Sequence, residues 1–330
     1  DMEREADRNG LSTLAGAGFA PAGMSAMFDK LDTASRLNDN GAFPYLRSHP
    51  LTVDRIGEAR QLVQASAQPA SPPAPPLLHS LMQARARVLM DPSVQALRRL
   101  QGFDARATMD QLPLPDRLGG LYAAALASSG LRDFDRADRA VDAAVGLLAA
   151  AAAPGADPAA HAAAGSALAR LGVQLALARG DTARAGALLV AGKLVDGRRS
   201  GLLLQADWAL ADGSEAALRR SVEALHTWVT GQRDDASAWQ ALAQAAGRLG
   251  QPLRAVRAEA EAQAALGNLP GAIDRLRAGQ QLARRGGPGT DFIEASVIDA
   301  RLRDLQAQRR QLLADERKRG ERPSDRNPPD

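Results

Sequence analysis

The opening residues, Asp1-Met2-Glu3-Arg4-Glu5-Ala6-Asp7-Arg8, hold the arrangement in this chain whose types and spacing most suggest chemistry. Glu3 and Asp7 are four residues apart, so on a helix they share one face. Two carboxylates on one face can serve a cation. One acts as a ligand, and the other hydrogen-bonds a ligating histidine from behind. The same spacing also suits an exposed acidic and basic helix laced by i,i+4 ion pairs, and spacing alone favours that plainer reading. The chain carries four histidines, His49, His79, His161 and His226, and none of them begins an HExxH. His79, His161 and His226 are isolated on helix-like segments and read as structural or surface residues. With no cysteine, disulfides, thiolate catalysis and cysteine-based zinc sites are excluded. No phosphate-binding G-x-x-x-x-G-K-[ST], no G-x-S-x-G and no dinucleotide fingerprint opening from a strand is present.

Helices must position these groups. Hydrophobic residues make up 45% of the chain but aromatics only 3%, and alanine fills the gap. Alanine is the best helix former and lets helices approach closely. Strands would want β-branched and aromatic residues instead. A first helix is expected from the start to about Gly16, with Ala6, Leu11 and Leu14 on its apolar side. AGAGFAP breaks it. Pro21 opens a second helix, expected to bury Met24, Met27, Phe28 and Leu31. Residues 38–50 read as loop. A third helix, Thr52 to Ala65, carries Val53, Ile56, Ala59, Leu62 and Val63 at helical spacing.

Residues 66–76, SAQPASPPAPP, place five prolines in eleven positions and favour an extended linker. From residue 77 to about 315 the chain reads as helix–turn–helix throughout. Glycine is followed five residues later by alanine at Gly180/Ala185, Gly250/Ala255 and Gly267/Ala272, and further turns are expected at Gly130 and at Asp212-Gly213. The glycine supplies a left-handed residue that ends one helix, and the alanine lets the next helix cross closely. Trp239, Leu242 and Gly250 match the start of a tetratricopeptide (TPR) unit, and Gly250 and Gly267 are 17 residues apart, half of a 34-residue repeat. The expected fold is therefore all-α: a helical protease remnant in residues 1–65, then a TPR-like solenoid of hairpins. A plain helical bundle is the competing architecture. The charged, proline-rich tail, 316–330, reads as disordered.

The net charge is +3, from 41 cations and 38 anions, with arginines scattered beside Asp and Glu along helices. That pattern is a solvated, salt-bridged surface. It lacks the clustered cations and stacking aromatics of a nucleic-acid site. No run of 18 apolar residues occurs, so no transmembrane segment is expected. The chain opens at Asp1, without Met, inside what reads as a helix, and is expected to be the later part of a longer protein.

The segment Glu3-Arg-Glu-Ala-Asp-Arg-Asn-Gly10, then L-x-x-L-A-G-A-G-F-A-P-A-G-M over 11–24, then Phe28-Asp-Lys-Leu31, resembles the zinc metallopeptidase family of HtpX and the CAAX prenyl proteases. Ser48-His49-Pro50-Leu51 through Arg55-Ile56 resembles that family's later [ST]-H-P-x-x-x-x-R-I signature. The two motifs stand in family order. A proline-rich link and TPR-like helices after them point to the periplasmic, BepA-like branch. The resemblance implies that Glu3 is the glutamate ligand of a single zinc ion and that Asp7 orients a ligating histidine. It places His49 in a loop near the metal, where its imidazole could close the fourth coordination position and restrain the enzyme. The family's HExxH supplies two ligands and the general base. Since this chain lacks it, the chain alone is expected neither to bind zinc tightly nor to cleave peptides. The resemblance further implies a periplasmic envelope endopeptidase. Its hairpins would bind outer-membrane β-barrel precursors and their assembly machinery. The alternative is a non-enzymatic TPR scaffold whose first 65 residues are vestigial.

Overall fold

The computed structural model describes residues 2–37, 53–65, 76–105, 108–152, 157–286 and 291–320. The fold is all-α, and among the described residues there is no strand. Contacts divide the chain into two compact units, Asp1–Pro76 and Leu77–Asp330. Residues 66–75, most of the expected linker, lie outside the described residues.

The first unit contains α1 (Met2–Gly16), α2 (Ala22–Leu37) and α3 (Val53–Ala65). Gly18, at φ +80°, turns the chain after α1, and the Phe19 amide donates to the Leu14 carbonyl at 3.0 Å. Pro21 stands one residue before α2 rather than inside it, and its carbonyl accepts from the Met24 amide. The apolar core is small: Phe28, Ile56 and Ala59, with Met24 packed against them. Two expected core positions face water instead, Met27 at 49% exposure and Val53 at 74%. α1 buries no residue at all: Ala6 is exposed, and Leu11 and Leu14 are only half-buried.

The second unit runs through α4 (Leu77–Met90), α5 (Val94–Gln101), α6 (Leu114–Gly130), α7 (Phe134–Ala150), α8 (Pro158–Arg179) and α9 (Thr182–Ala191). It continues through α10 (Arg199–Asp212), α11 (Glu215–Gly231), α12 (Ala236–Arg248), α13 (Pro252–Ala265), α14 (Leu269–Arg284) and α15 (Phe292–Gly320), with short 3-10 turns between α5 and α6. Helices pack on their chain neighbours and on next-nearest ones, as α10 does on α11 and α12, and α13 on α14 and α15. The core passes along the chain from one cluster to the next. It runs from Leu81, Leu118 and Leu168 to Val173, Leu189 and Leu204, then to Leu225 and Leu242, then to Ile273, Ile298 and Leu305. Alanines such as Ala137, Ala185, Ala245 and Ala258 are fully buried where helices touch. Burying one leucine is worth about 2 kcal/mol, whereas an exposed ion pair is worth about 0–1, so the stack rests on this apolar interior. The last helix continues to Gly320, past the expected start of the tail at 316, because ADERKRG is rich in helix formers.

The turns repeat in detail. Gly180, Gly250 and Gly267 adopt φ of +86°, +68° and +78°. The next residue's amide then donates to the carbonyl five positions back: Asp181 to Ala176, Gln251 to Ala246, Asn268 to Gln263. A fourth turn has the same bonding, Asp133 to Ser128, with Arg132 in the left-handed position at φ +64° and Ala137 buried five residues on. Gly130, the expected turn residue there, is the last residue of α6. A side chain at Gly130 would press on Leu97, whose methyl carbon lies 3.2 Å from where its Cβ would stand.

Candidate functional site

The candidate site is built from α1 and α3. In α3 the apolar positions Ile56, Ala59 and Val63 set which face turns inward, and that face also carries Arg55, 8% exposed. Its guanidinium packs over the Phe28 ring at 5.8 Å. A guanidinium buried this far needs charged acceptors, and α1 supplies them. Arg55 Nε donates to Asp7 Oδ2 at 2.7 Å and Nη2 to Asp7 Oδ1 at 2.8 Å, a two-bond fork. Arg55 Nη1 lies 3.1 Å from Glu3 Oε2. The four-residue spacing of Glu3 and Asp7 thus places both carboxylates on the face that meets Arg55. Arg4, between them in sequence, pairs with Glu58 at 3.2 Å on the flank of α3. Because α1 buries nothing, these ion pairs are a large part of what holds it to α3.

The two carboxylates are not equivalent. Asp7 keeps 13% of its side chain exposed, while Glu3 keeps 34% and stays within reach of an ion arriving from solvent. Among the described residues one guanidinium, that of Arg55, faces both carboxylates. The fork fixes the Asp7 rotamer. Each carboxylate oxygen has a second lone pair, so Asp7 retains capacity to accept from another donor.

These residues do not complete a zinc site by themselves. Catalytic zinc takes three protein ligands, and among the described residues no group of three or more His, Cys, Asp or Glu could hold a metal ion. His49 lies outside the described residues. His79 and His226 are exposed on α4 and α11. The Nδ1 of His161 lies 3.1 Å from the Asp157 carbonyl at the start of α8. The residue that sequence reasoning passed over is Arg55. It stands in the R-I signature, and an arginine beside the apolar positions of its helix, with two carboxylates on one face of another, was the available signal.

No family model matches the chain. Over 143 residues, 41% of its length, the chain is 34% identical to a protein of Vibrio cholerae serotype O1 that carries the provisional name beta-barrel assembly-enhancing protease. The match spans 27% of that protein. It supports a relationship to that protease over part of its length.

Proposed function

We propose that this chain is the C-terminal portion of a bacterial envelope zinc metalloendopeptidase, followed by a TPR-like solenoid that binds protein partners. The observation that carries the reading is the Arg55 clasp. Arg55 of the second motif holds Asp7, 48 positions earlier, and Glu3 of the first, so two segments that resemble one peptidase family meet at the groups that would do its chemistry. The partial similarity to a beta-barrel assembly-enhancing protease supports the same direction.

In the intact protein, Glu3 would be the carboxylate ligand of zinc and Asp7 would orient a ligating histidine. Arg55 would hold both carboxylates in place. An HExxH outside this sequence would bring the remaining ligands and the general base. His49 would act as a displaceable fourth ligand. The hairpins would receive outer-membrane β-barrel precursors and their assembly machinery in the periplasm. No helix among the described residues is long and apolar enough to cross a membrane. In the full-length gene product, Glu3→Gln is expected to abolish casein cleavage while leaving helix content unchanged. Retained cleavage removes Glu3 as a ligand. His49→Ala is expected to raise cleavage, and unchanged or lower activity counts against the latch.

One observation favours a second reading. Arg55 already gives Glu3 and Asp7 a structural partner, as a non-enzymatic scaffold with a vestigial protease segment would require. Translation upstream of Asp1 separates the two: an HExxH on a helix supports the enzyme, and its absence supports the scaffold.

A further inference from the structure

A cleft of about 680 Å³ within the second unit is lined by four arginines and one aspartate, together with exposed apolar side chains. Its size lies inside the range of about 300–1,000 Å³ common for ligand sites. Three of the arginines have carboxylate partners. Arg170 bonds Asp196 at 3.2 Å, Arg199 bonds Asp235 at 2.7 Å, and Arg198, 82% exposed at its side chain, lies 3.8 Å from Asp196. Arg85 differs. Its Nη1 donates to Gln174 Oε1 at 2.8 Å and to the Tyr122 hydroxyl at 3.2 Å, both neutral. Among the described residues it forms no ion pair, and Asp207, the carboxylate in the lining, is not within salt-bridge distance of it. Tyr122 and Gln174 therefore aim a half-buried guanidinium into the cleft with its charge unanswered, and a carboxylate is what best matches that fork.

The apolar part has a matching register. Leu78, Met82 and Arg85 fall at i, i+4 and i+7 of α4, one face of the helix. Leu78 and Met82 are each 40% exposed. A small inorganic anion would satisfy Arg85 and leave this stripe wet. A polypeptide with an acidic side chain next to an apolar one satisfies both.

We infer that this cleft binds an extended polypeptide segment, pairing an acidic side chain with Arg85 and laying a neighbouring apolar side chain on Leu78 and Met82. The inference rests on the second unit alone and stands or falls apart from the peptidase reading.

The test uses the whole chain and a fluorescein-labelled, C-terminally amidated peptide with a Leu-Glu-Leu-Glu centre, followed by fluorescence anisotropy. Its counterpart carries Gln in place of Glu. The Glu peptide is expected to bind about tenfold tighter than the Gln peptide, the size of one charge-assisted bond. Arg85→Gln is expected to erase that difference, and Met82→Ser to weaken the Glu peptide severalfold. Arg85→Lys keeps the charge but not the fork, and is expected to retain part of the preference for the Glu peptide. Thermal melts of every variant check folding. Equal binding of the two peptides overturns the proposal. So does a preference for the Glu peptide that survives Arg85→Gln unchanged. A Gln peptide with a free C-terminus that binds as well as the amidated Glu peptide would assign the cleft to chain ends, and displacement by millimolar inorganic phosphate would assign it to small anions. Either result overturns the acidic side chain as ligand.

Discussion

In residues 1–76 one guanidinium, Arg55, sits between two carboxylates, Glu3 and Asp7. In residues 77–330 one carboxylate, Glu294, sits between two guanidiniums, Arg254 at 3.0 Å and Arg257 at 2.6 Å. Both clusters lean on an aromatic ring: Arg55 over Phe28 at 5.8 Å, Arg257 over Trp239 at 5.9 Å. Their central groups are alike in burial, 10% exposed at the Arg55 side chain and 8% at Glu294. They differ in what surrounds them. Glu294 pins the start of α15 to α13, a contact already secured by Ile298, Leu302 and Leu305. Arg55 joins α3 to a helix that buries nothing of its own. The same device is an accessory in one unit and a main tie in the other. In the first cluster the two carboxylates differ in access, Glu3 being the more exposed.

That contrast sets the order of expected effects. Arg55→Ala should act most strongly, since removing one partner of a buried ion pair costs about 3–5 kcal/mol. The loss should be local: hydrogen exchange in α1 should speed up while the melting of the second unit is unchanged. Arg55→Lys should recover little, because an ammonium cannot fork onto Asp7. If α1 stays protected in Arg55→Ala, the ion pairs are not its main tie. Leu242→Ala should produce the complementary result. Leu242 is fully buried, so truncation should cost about 3 kcal/mol, lower the main thermal transition and spare α1. A single shared transition for both variants would merge the two regions into one.

Asp235 gives a smaller, pH-dependent effect. Arg199 foremost, then the Trp228 indole and the Ala238 amide, hold its carboxyl below the ordinary value. Its charged form is therefore favoured in the folded state. The stabilisation is present above the unfolded value of about 3.9 and is lost as pH falls through the depressed folded value. Asp235→Asn should cost about 1–2 kcal/mol at neutral pH, because the amide nitrogen cannot accept from Arg199 or the Trp228 indole as Oδ2 does. The deficit should close on acidification below about pH 3.9. A deficit that persists unchanged in acid would place the cost in packing rather than charge.

Much of the second unit was legible in its turns. Gly180, Gly250 and Gly267 announce themselves because glycine is the usual left-handed residue. The fourth member was hidden, since Arg132 takes that conformation without glycine and only the buried Ala137 betrays it. Trp239 and Leu242, read in the sequence as the start of a repeat unit, are both buried. The first unit was harder. Helical spacing put Val53 inside, but the buried position one turn before Ala59 belongs to Arg55. Apolar periodicity cannot anticipate a buried charge whose partners lie on another helix 48 positions distant. The pairing of Glu3 with Asp7 was visible from their spacing, whereas the group that joins them was not.

Whether Glu3 is a zinc ligand is decided by the zinc content of the full-length gene product, comparing the parent protein with Glu3→Gln after dialysis against a weak chelator. Stoichiometric zinc in the parent and loss of nearly all of it in the variant, with α1 still protected from exchange, is the result expected if Glu3 is a ligand and Arg55 its clasp. Equal zinc in both proteins, or none in either, would contradict the account and leave Glu3, Asp7 and Arg55 as a structural tie between two helices.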